Sequence, residues 1–405
     1  MQTSTPTQQS QRIISLDILR GFAIMGILIM NMTSFSMVSA NYNNPMAAGV
    51  LAGADEWAFW FSELFANQKF ISLFSMLFGA GVILMSSRIE AKSRNPLGRH
   101  YLRNFWLLLI GLFHAYVIWY GDILVAYALC SVWVFLFRKK SANNLFIWGG
   151  IFMSISLLIS LFFGLSMPYW PEEAVVENCS FWQPSEESLQ EEIMAYQGGW
   201  GQQQVFRAEM SSFLETFVFL TAVGWQVTGL MLIGMGLFKA KILTGERTAR
   251  FYKRMLIIGL GLGLTLGIYG LLQNYAQAWS CEYSFFLGSQ FHYVGSLPMA
   301  LGYIAAVMLV CQGRYLPWLQ KWIAPVGRMA LTNYLMQSII ATFIFYGHGL
   351  GLYGTVGRAG QWPFILGIWL LQLLYSQWWL SRFKFGPFEW AWRSLTYGKV
   401  QAFNK

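Results

Sequence analysis

Charged side chains are scarce in this sequence. Only 11% of the 405 residues are Asp, Glu, Lys or Arg, whereas 56% are hydrophobic and 18% are aromatic. A soluble domain carries about 25% charged residues. The shortage excludes a soluble globular protein, because most of the chain must face lipid or other apolar helices.

Cysteine and histidine are also rare, with four of each. They do not have the spacing of a zinc site, and the sequence contains no P-loop with its Lys and Ser or Thr, so we predict no metal site. The net charge of +9 would suit nucleic acid. However, the basic residues recur in short clusters between apolar runs and form no dense stripe, so we expect no nucleic-acid partner.

Long apolar runs dominate the chain instead. A helix needs about 20 apolar residues to cross a bilayer, and ten runs approach that length. They are Ile13 to Val38, Phe70 to Met85, Phe105 to Tyr120, Ile123 to Phe137, Leu145 to Met167, Phe213 to Phe238, Met255 to Gln273, Tyr293 to Cys311, Met329 to Tyr346 and Trp362 to Leu380. We therefore predict an all-α polytopic membrane bundle of about ten helices, with residues 1–405 as a single integral domain in the lipid bilayer.

The charges predict how this bundle is oriented, because cytoplasmic loops are rich in Lys and Arg. With Arg12 inside, alternation over ten spans places the basic connections in the cytoplasm, apart from Lys69, Arg207 and Arg358. Both termini are then cytoplasmic. The polar tail 1–11 lacks the basic start and short apolar core of a cleaved signal, so we expect the first span to remain in the protein.

Three segments are predicted to lie outside the spans. The acidic external loop Pro168 to Ser212 is either a lid over a site or a solvated connection. Glu56 to Asn67 and the tail 381–405 have the pattern of interfacial amphipathic helices. Cys179 and Cys281 both fall in external loops, where an oxidising compartment would let them pair, although the sequence does not decide whether they meet.

Ionisable groups at membrane depth are expensive, so each is a functional candidate. At 100° per residue, Asp17, Arg20 and Asn31 share one face of the first span. They predict a polar line from the cytoplasmic entrance towards the outer surface. The alternative is an Asp17–Arg20 pair that anchors the helix end, with Asn31 bonded to a neighbouring helix.

His114 lies below the outer end of the third span, and Asp122 follows in a tight external hairpin. A contact between them requires the hairpin to fold back or a water to bridge them. A packing role is the alternative for His114, while His292 and His348 are weaker chemical candidates. Lys69 either snorkels to the surface or binds an anionic group or Asp122 inside the bundle.

Several blocks along the chain resemble the YeiB-like family of bacterial inner-membrane proteins, a domain of unknown function. These blocks are Leu16 to Gly21, Lys69 to Gly79, His114 with Gly121 to Leu124, Gly327 to Tyr334 with Gln337 and Ser338, and Gly386 to Trp390 through Arg393. The resemblance implies a multi-pass protein of a bacterial inner membrane.

The first span is also distantly similar to that of the heparan glucosaminide N-acetyltransferase group. There too an Asp is followed by an Arg three residues on and an Asn fourteen residues on, as at Asp17, Arg20 and Asn31. The resemblance implies transfer of an acyl group from cytoplasmic acyl-CoA to an acceptor outside. The catalytic histidine of that group follows the first span, but Asn41 to Asp55 contains none. This similarity therefore does not support a catalytic role for His114.

Two functions remain open at this point. In a transmembrane acyltransferase, Arg20, Arg99 and Arg103 would hold the CoA phosphates, the polar face of the first span would line the acyl path, and His114, oriented by Asp122, would act as general base. The acceptor would be a small molecule, glycan or lipid. Alternatively, the same polar line would serve a transporter of a small metabolite or lipid. A lipid-binding partner and a homo-oligomer are further possibilities.

Overall fold

A computed structural model describes residues 13–405, so the predicted polar tail 1–11 lies outside the described residues. Within them the chain is helical, and the β pairing is one isolated bridge between Phe383 and Asn404. The helices are α1 Ile14–Ser36, α2 Gly53–Phe65, α3 Lys69–Glu90, α4 Leu97–Phe113, α5 Leu124–Val134, α6 Ala142–Ser166, α7 Glu172–Ser180, α8 Glu186–Gln197, α9 Trp200–Phe213, α10 Gly224–Lys239, α11 Ala249–Ala276, α12 Cys281–Tyr283, α13 Gln290–Gln312, α14 Pro317–Arg328, α15 Ala330–Phe345, α16 Gln361–Arg382 and α17 Pro387–Tyr397.

The predicted all-α membrane bundle is confirmed. Among the described residues, 8 helical stretches are long and apolar enough to cross a membrane. α15 has 16 residues, and α5 has 11 before it continues as a 3-10 turn, so these two fall short of that length. The count of ten spans therefore stays a prediction.

One end of the bundle, which we name the basic face, carries connections rich in Lys and Arg. Arg138 Nε lies 3.4 Å from a carboxylate oxygen of Glu90. Lys239 Nζ donates hydrogen bonds of 2.6 Å to the carbonyl groups of Arg138 and Lys140. These contacts join the α3–α4, α5–α6 and α10–α11 connections at one end, which agrees with the alternation that the charges predict.

The opposite end, which we name the capped face, is covered by α7, α8 and α9. The Glu192 carboxylate of α8 accepts hydrogen bonds from the amide and hydroxyl of Ser39, at 2.8 and 3.0 Å, and from the Tyr353 hydroxyl at 2.6 Å. A disulfide between Cys179 and Cys281 ties α7 to α12. The acidic segment is therefore helical and is attached to the bundle by these bonds.

The three basic residues that oppose the charge pattern all have internal partners. Lys69 is 1% exposed, and its ammonium group donates to the Glu63 carbonyl at 2.7 Å. Arg358 donates to the Asn41 carbonyl at 2.6 Å, and Arg207 donates to a backbone carbonyl between α4 and α5. The expectation that Lys69 snorkels to the surface is wrong, because its charge is held inside the fold.

The two segments predicted as interfacial helices are helical and lie at opposite ends of the bundle. On α2, Trp57, Phe61 and Phe65 are exposed along one face at four-residue spacing. On the basic face, α17 packs against the start of α15, where Glu389 accepts hydrogen bonds from the Thr332 amide and hydroxyl at 3.0 and 2.6 Å. The tail is thus attached to the bundle beside the candidate site.

Candidate active site

A buried chain of three polar side chains lies inside the bundle. His114 Nδ1 is 2.7 Å from Asp122 Oδ2, and His114 Nε2 is 2.8 Å from Ser338 Oγ. The His114 and Asp122 side chains are 0% and 1% exposed, and Ser338 is 1% exposed. His114 and Asp122 are in direct contact, because the hairpin folds back, which is one of the two routes that the sequence left open.

Local backbone geometry makes this contact possible. From His114 to Ile118 the helix widens into a π turn, which ends where the Trp119 amide donates to the His114 carbonyl at 2.9 Å. The hairpin then folds Asp122 back against α4. A Cβ on Gly111 would lie 3.1 Å from Asp122 Oδ1 and 2.8 Å from the Val125 amide nitrogen, so only glycine leaves room for this approach.

The Asp122 carboxylate also has a structural partner. Its Oδ1 accepts a hydrogen bond of 2.7 Å from the Val125 amide at the start of α5, while Oδ2 faces His114. An ionised carboxylate only accepts hydrogen bonds, so opposite an ionised Asp122 a neutral His114 carries its proton on Nδ1. Nε2 is then left to accept the Ser338 hydroxyl proton.

A cavity of about 560 Å³ begins at the basic face and extends into the bundle towards the His114 and Ser338 side chains. On α1 it is lined by Asp17, Arg20, Ile24 and Ile27, which recur at helical spacing. At its inner end lies Tyr334 of α15. Asp17 and Arg20 of the predicted polar face therefore line a real cavity, whereas Asn31 does not.

The entrance of the cavity is strongly basic. Asp17 and Arg20 pair at 3.0 Å on its wall, and Glu389 is the second acidic residue of the lining. Burial raises the pKa of the Glu389 carboxyl, although its hydrogen bonds with Thr332 act in the opposite direction. The basic residues of the lining are Arg20, Arg88, Lys92, Arg94, Arg103, Arg328 and Arg393. The excess of positive charge makes this entrance suitable for an anionic ligand.

Tyr334 separates the cavity from the buried chain. Its ring centroid is 5.0 Å from that of His114, and its hydroxyl donates to the Gly121 carbonyl at 3.3 Å. Ser338 follows it by four residues, so both side chains lie on the same face of α15. The hydroxyl of Ser338 is therefore one helical turn behind the inner end of the cavity.

The other predicted site residues are distributed unevenly. Arg103 lines the cavity, and its guanidinium lies 4.1 Å from the ring centroid of Trp392. Arg99 donates to the Thr396 carbonyl, so it stabilises the position of α17. Asn31 is buried on α1, beyond the part of the helix that lines the cavity.

Lys69 belongs to a separate buried cluster. Its ammonium group is 3.3 Å from His292 Nδ1, and His292 Nε2 is 3.4 Å from the Glu63 carboxylate. The predicted alternative of a contact between Lys69 and Asp122 is wrong, because Lys69 bonds to Glu63 and His292 instead. His348, the other weak candidate, bonds to Gln203 under the cap.

Sequence reasoning assigned no role to Ser338. It stands 224 residues from His114, so neither spacing nor periodicity connects the two. The available signal was its position in a block that resembles the YeiB-like family. Among residues 13–405, no group of His, Cys, Asp and Glu is arranged to hold a metal ion.

The fold and the site define the class of this protein: it is a multi-pass α-helical membrane protein with three buried, hydrogen-bonded Asp, His and Ser side chains behind a basic cavity. Residues 237–399 match the family described as "Protein of unknown function (DUF418)". The chain is 31% identical over 397 residues to the uncharacterized protein YeiB of Escherichia coli, a match that covers 95% of this chain and 96% of that protein.

A second relative has the same level of similarity. The uncharacterized protein YxaH of Bacillus subtilis is 31% identical over 425 residues, covering 100% of this chain and 99% of that protein. An uncharacterized 39.9 kDa protein of Bacillus acidopullulyticus is 25% identical over 403 residues. This chain belongs to the YeiB-like DUF418 family, and the resemblance noted in its sequence blocks is confirmed.

Proposed function

We propose that this protein is a transmembrane acyltransferase, which takes an acyl group from acyl-CoA at the basic face and passes it to an acceptor hydroxyl or amine nearer the capped face. One observation carries the proposal: His114, held by Asp122 at 2.7 Å, lies behind the inner end of a cavity whose entrance is lined by basic side chains. A passive membrane anchor needs neither feature.

The His114–Asp122 pair supplies the base that acyl transfer requires. Asp122 fixes the imidazole orientation and stabilises the positive charge that develops when Nε2 takes a proton. Because both side chains are almost fully buried, this interaction is little screened by water. The pair is thus suited to deprotonate a hydroxyl or amine during attack on an acyl carbonyl.

The cavity suits the donor. The phosphates of acyl-CoA would bind near Arg20 and Arg103, since guanidinium groups form strong charge-assisted hydrogen bonds with phosphate. The acyl chain would extend past Ile24 and Ile27 towards Tyr334. Arg99, which sequence analysis grouped with these arginines, would act indirectly by positioning α17.

The direction of transfer follows from the charges and the disulfide. Basic connections favour the cytoplasmic side of a membrane, and disulfides persist in oxidising compartments. We therefore assign the basic face and both termini to the cytoplasm and the capped face to the outside of a bacterial inner membrane. The Cys179–Cys281 bond on the cap supports this orientation.

Binding of acyl-CoA tests the donor assignment. We expect purified protein to bind acetyl-CoA and octanoyl-CoA in calorimetric titrations, and Arg103→Gln to weaken this binding about 10-fold to 100-fold through loss of a charge-assisted contact. S-acetylpantetheine lacks the nucleotide phosphates, so its binding should not depend on Arg103.

Arg250 provides the matched control, because it is exposed at the start of α11 and does not line the cavity. Arg250→Gln should bind acetyl-CoA as the wild type does. The donor assignment is refuted if the wild type binds neither thioester, or if both arginine variants lose binding equally. Uptake of a solute by reconstituted vesicles without CoA would instead support the transporter alternative.

A further inference from the structure

We infer that Ser338 carries the acyl group as a covalent ester between donor and acceptor. The inference rests on the proposed acyltransferase function and specifies its mechanism. Ser338 Oγ lies 2.8 Å from His114 Nε2, and His114 Nδ1 lies 2.7 Å from Asp122 Oδ2. A hydroxyl bonded to a base that is itself oriented by a carboxylate is the arrangement that activates a serine nucleophile.

Three other helix serines of this protein donate to the backbone. Ser36, Ser62 and Ser86 donate to the carbonyl four residues earlier, at 2.7 to 2.9 Å, which is the usual way for a buried helix hydroxyl to satisfy its proton. The Ser338 hydroxyl is directed at an imidazole nitrogen instead. The packing of α15 does not by itself require a hydrogen bond between the Ser338 hydroxyl and an imidazole.

His114 also differs from the other buried histidines. His100 Nε2 lies 2.9 Å from the Ser131 carbonyl oxygen, and His292 contacts Lys69 and Glu63. Among the histidines of the described chain, His114 is the one with a carboxylate at one ring nitrogen and a hydroxyl at the other. The geometry therefore distinguishes Ser338 from a generic polar neighbour.

Ser338 is also placed suitably between the two faces. It is the ninth residue of the 16-residue helix α15, about 12 Å along the axis from the first residue. Tyr334, one turn earlier, lines the cavity, and its hydroxyl donates a long hydrogen bond of 3.3 Å to the Gly121 carbonyl. Rotation of the Tyr334 ring would open a path by which a thioester reaches Ser338 from the basic face.

Trp119 is a candidate donor for the developing oxyanion. The Trp119 indole meets the His114 ring edge-on, with centroids 6.1 Å apart, and its buried Nε1 has no hydrogen-bond partner in the described part of the chain. Unused buried donors are rare because they are costly. An acyl carbonyl held at Ser338 would supply an oxygen for Trp119 to bind.

The reaction has two displacements. In the first, Ser338 Oγ attacks the thioester carbonyl while His114 Nε2 takes the hydroxyl proton; the C–S bond breaks, and the departing sulfur receives that proton and leaves as the CoA thiol. In the second, the acceptor attacks the ester carbonyl, His114 takes the acceptor proton, and the serine oxygen receives it as the C–O bond breaks. Asp122 stays ionised throughout.

Trapping the ester tests this inference. Purified protein is mixed with radiolabelled acetyl-CoA without an acceptor, denatured at several early times and digested for mass spectrometry. We expect release of CoA together with label on the peptide that contains Ser338, up to about one acetyl group per chain. Ser338→Ala and His114→Ala should carry no label. Ser338→Cys should give a thioester that neutral hydroxylamine cleaves.

Ser72→Ala is the matched control, since Ser72 is equally buried but bonds to Ser296 at 3.1 Å. It should label as the wild type does. Transfer by Ser338→Ala at the wild-type rate, or label on His114, would refute the serine ester and leave the acyltransferase proposal intact. Absence of both binding and CoA release in the wild type would refute the acyltransferase proposal itself. Elution profiles identify variants that misfold, and Ser338→Cys provides the test if Ser338→Ala is among them.

Discussion

At the scale of single residues, the buried polar groups fall into two kinds. Lys69 and Arg358 donate to backbone carbonyls, so burial of their charges is offset by local bonds. The polar chain of Asp122, His114 and Ser338 is different, because it ends in a hydroxyl that faces a base. A structural role explains the first kind, because each charged group has a hydrogen-bond partner. A catalytic role is the better explanation of the second kind.

Glu192 in the cap should make stability depend on pH. Burial raises the pKa of this carboxyl above its ordinary value of 4.5, although hydrogen bonds from Tyr353 and Ser39 lower it. A folded-state pKa above the unfolded value stabilises the protein at low pH, and this contribution is lost as pH rises through the folded pKa. Glu192→Gln removes the titration. We expect the unfolding temperature of the wild type, relative to this variant, to decrease as the pH rises above the ordinary carboxyl value of 4.5.

Glu187 is exposed on the same helix, so Glu187→Gln should follow the wild-type profile at every pH. A constant difference between wild type and Glu192→Gln over this range would show that Glu192 does not titrate as its burial implies. Differential scanning fluorimetry in detergent is sufficient for the comparison.

His114 and Asp122 could be found from sequence because only eight residues separate them. A tight Gly–Asp hairpin at the end of an apolar run limits where Asp122 can lie. Ser338 could not be assigned, because its contact depends on how α15 packs against α4. Lys69 was misjudged for the same reason: its buried partner His292 lies 223 residues away.

At the scale of elements, close helix contacts position the site. A Cβ at Gly259 of α11 would lie 2.6 Å from the Pro298 carbonyl oxygen of α13, and one at Gly263 would lie 2.8 Å from Met299 Cβ. Gly259 and Gly263 therefore allow the close approach of α11 and α13. Gly261 faces open space, with no atom within 4 Å of the added Cβ.

Gly259→Ala should therefore destabilise the bundle by about 1–3 kcal/mol, since the added methyl group overlaps a backbone oxygen that cannot move alone. Gly261→Ala should be neutral or stabilising by up to about 1 kcal/mol through helix propensity. Chemical unfolding of the two variants in mixed micelles, followed by tryptophan fluorescence, checks the difference. Equal stabilities would contradict the packing between α11 and α13.

Helix existence was predictable because long apolar runs have few alternatives in a membrane protein. The detailed geometry of the helices was not predictable. The π turn at His114 and the three-helix cap depend on tertiary contacts, such as those of Glu192 with Ser39 and Tyr353, which no local pattern encodes. α5 and α15 are also shorter than a typical span, so the sequence count of ten rests on charge alternation.

At the scale of the whole molecule, the basic face and the capped face give the protein a direction. The cavity opens among basic side chains, and the Asp122–His114–Ser338 chain lies behind it on the way to the cap. Such polarity suits movement of an acyl group from one side to the other. The same polarity would suit a transporter, so the two functions must be separated by following the acyl group and CoA independently.

Transfer across inverted membrane vesicles tests the central claim most directly. In the proposed orientation, inverted vesicles from cells that produce the protein expose the basic face, so acetyl-CoA labelled in its acetyl group or in its CoA is added outside. We predict that acetyl label, but not CoA label, becomes protected in the vesicle lumen or bound to the leaflet that faces the lumen. His114→Ala should lower this transfer about 100-fold or more, and His348→Ala should not change it. Equal transfer by His114→Ala, or joint uptake of both labels, would contradict the account.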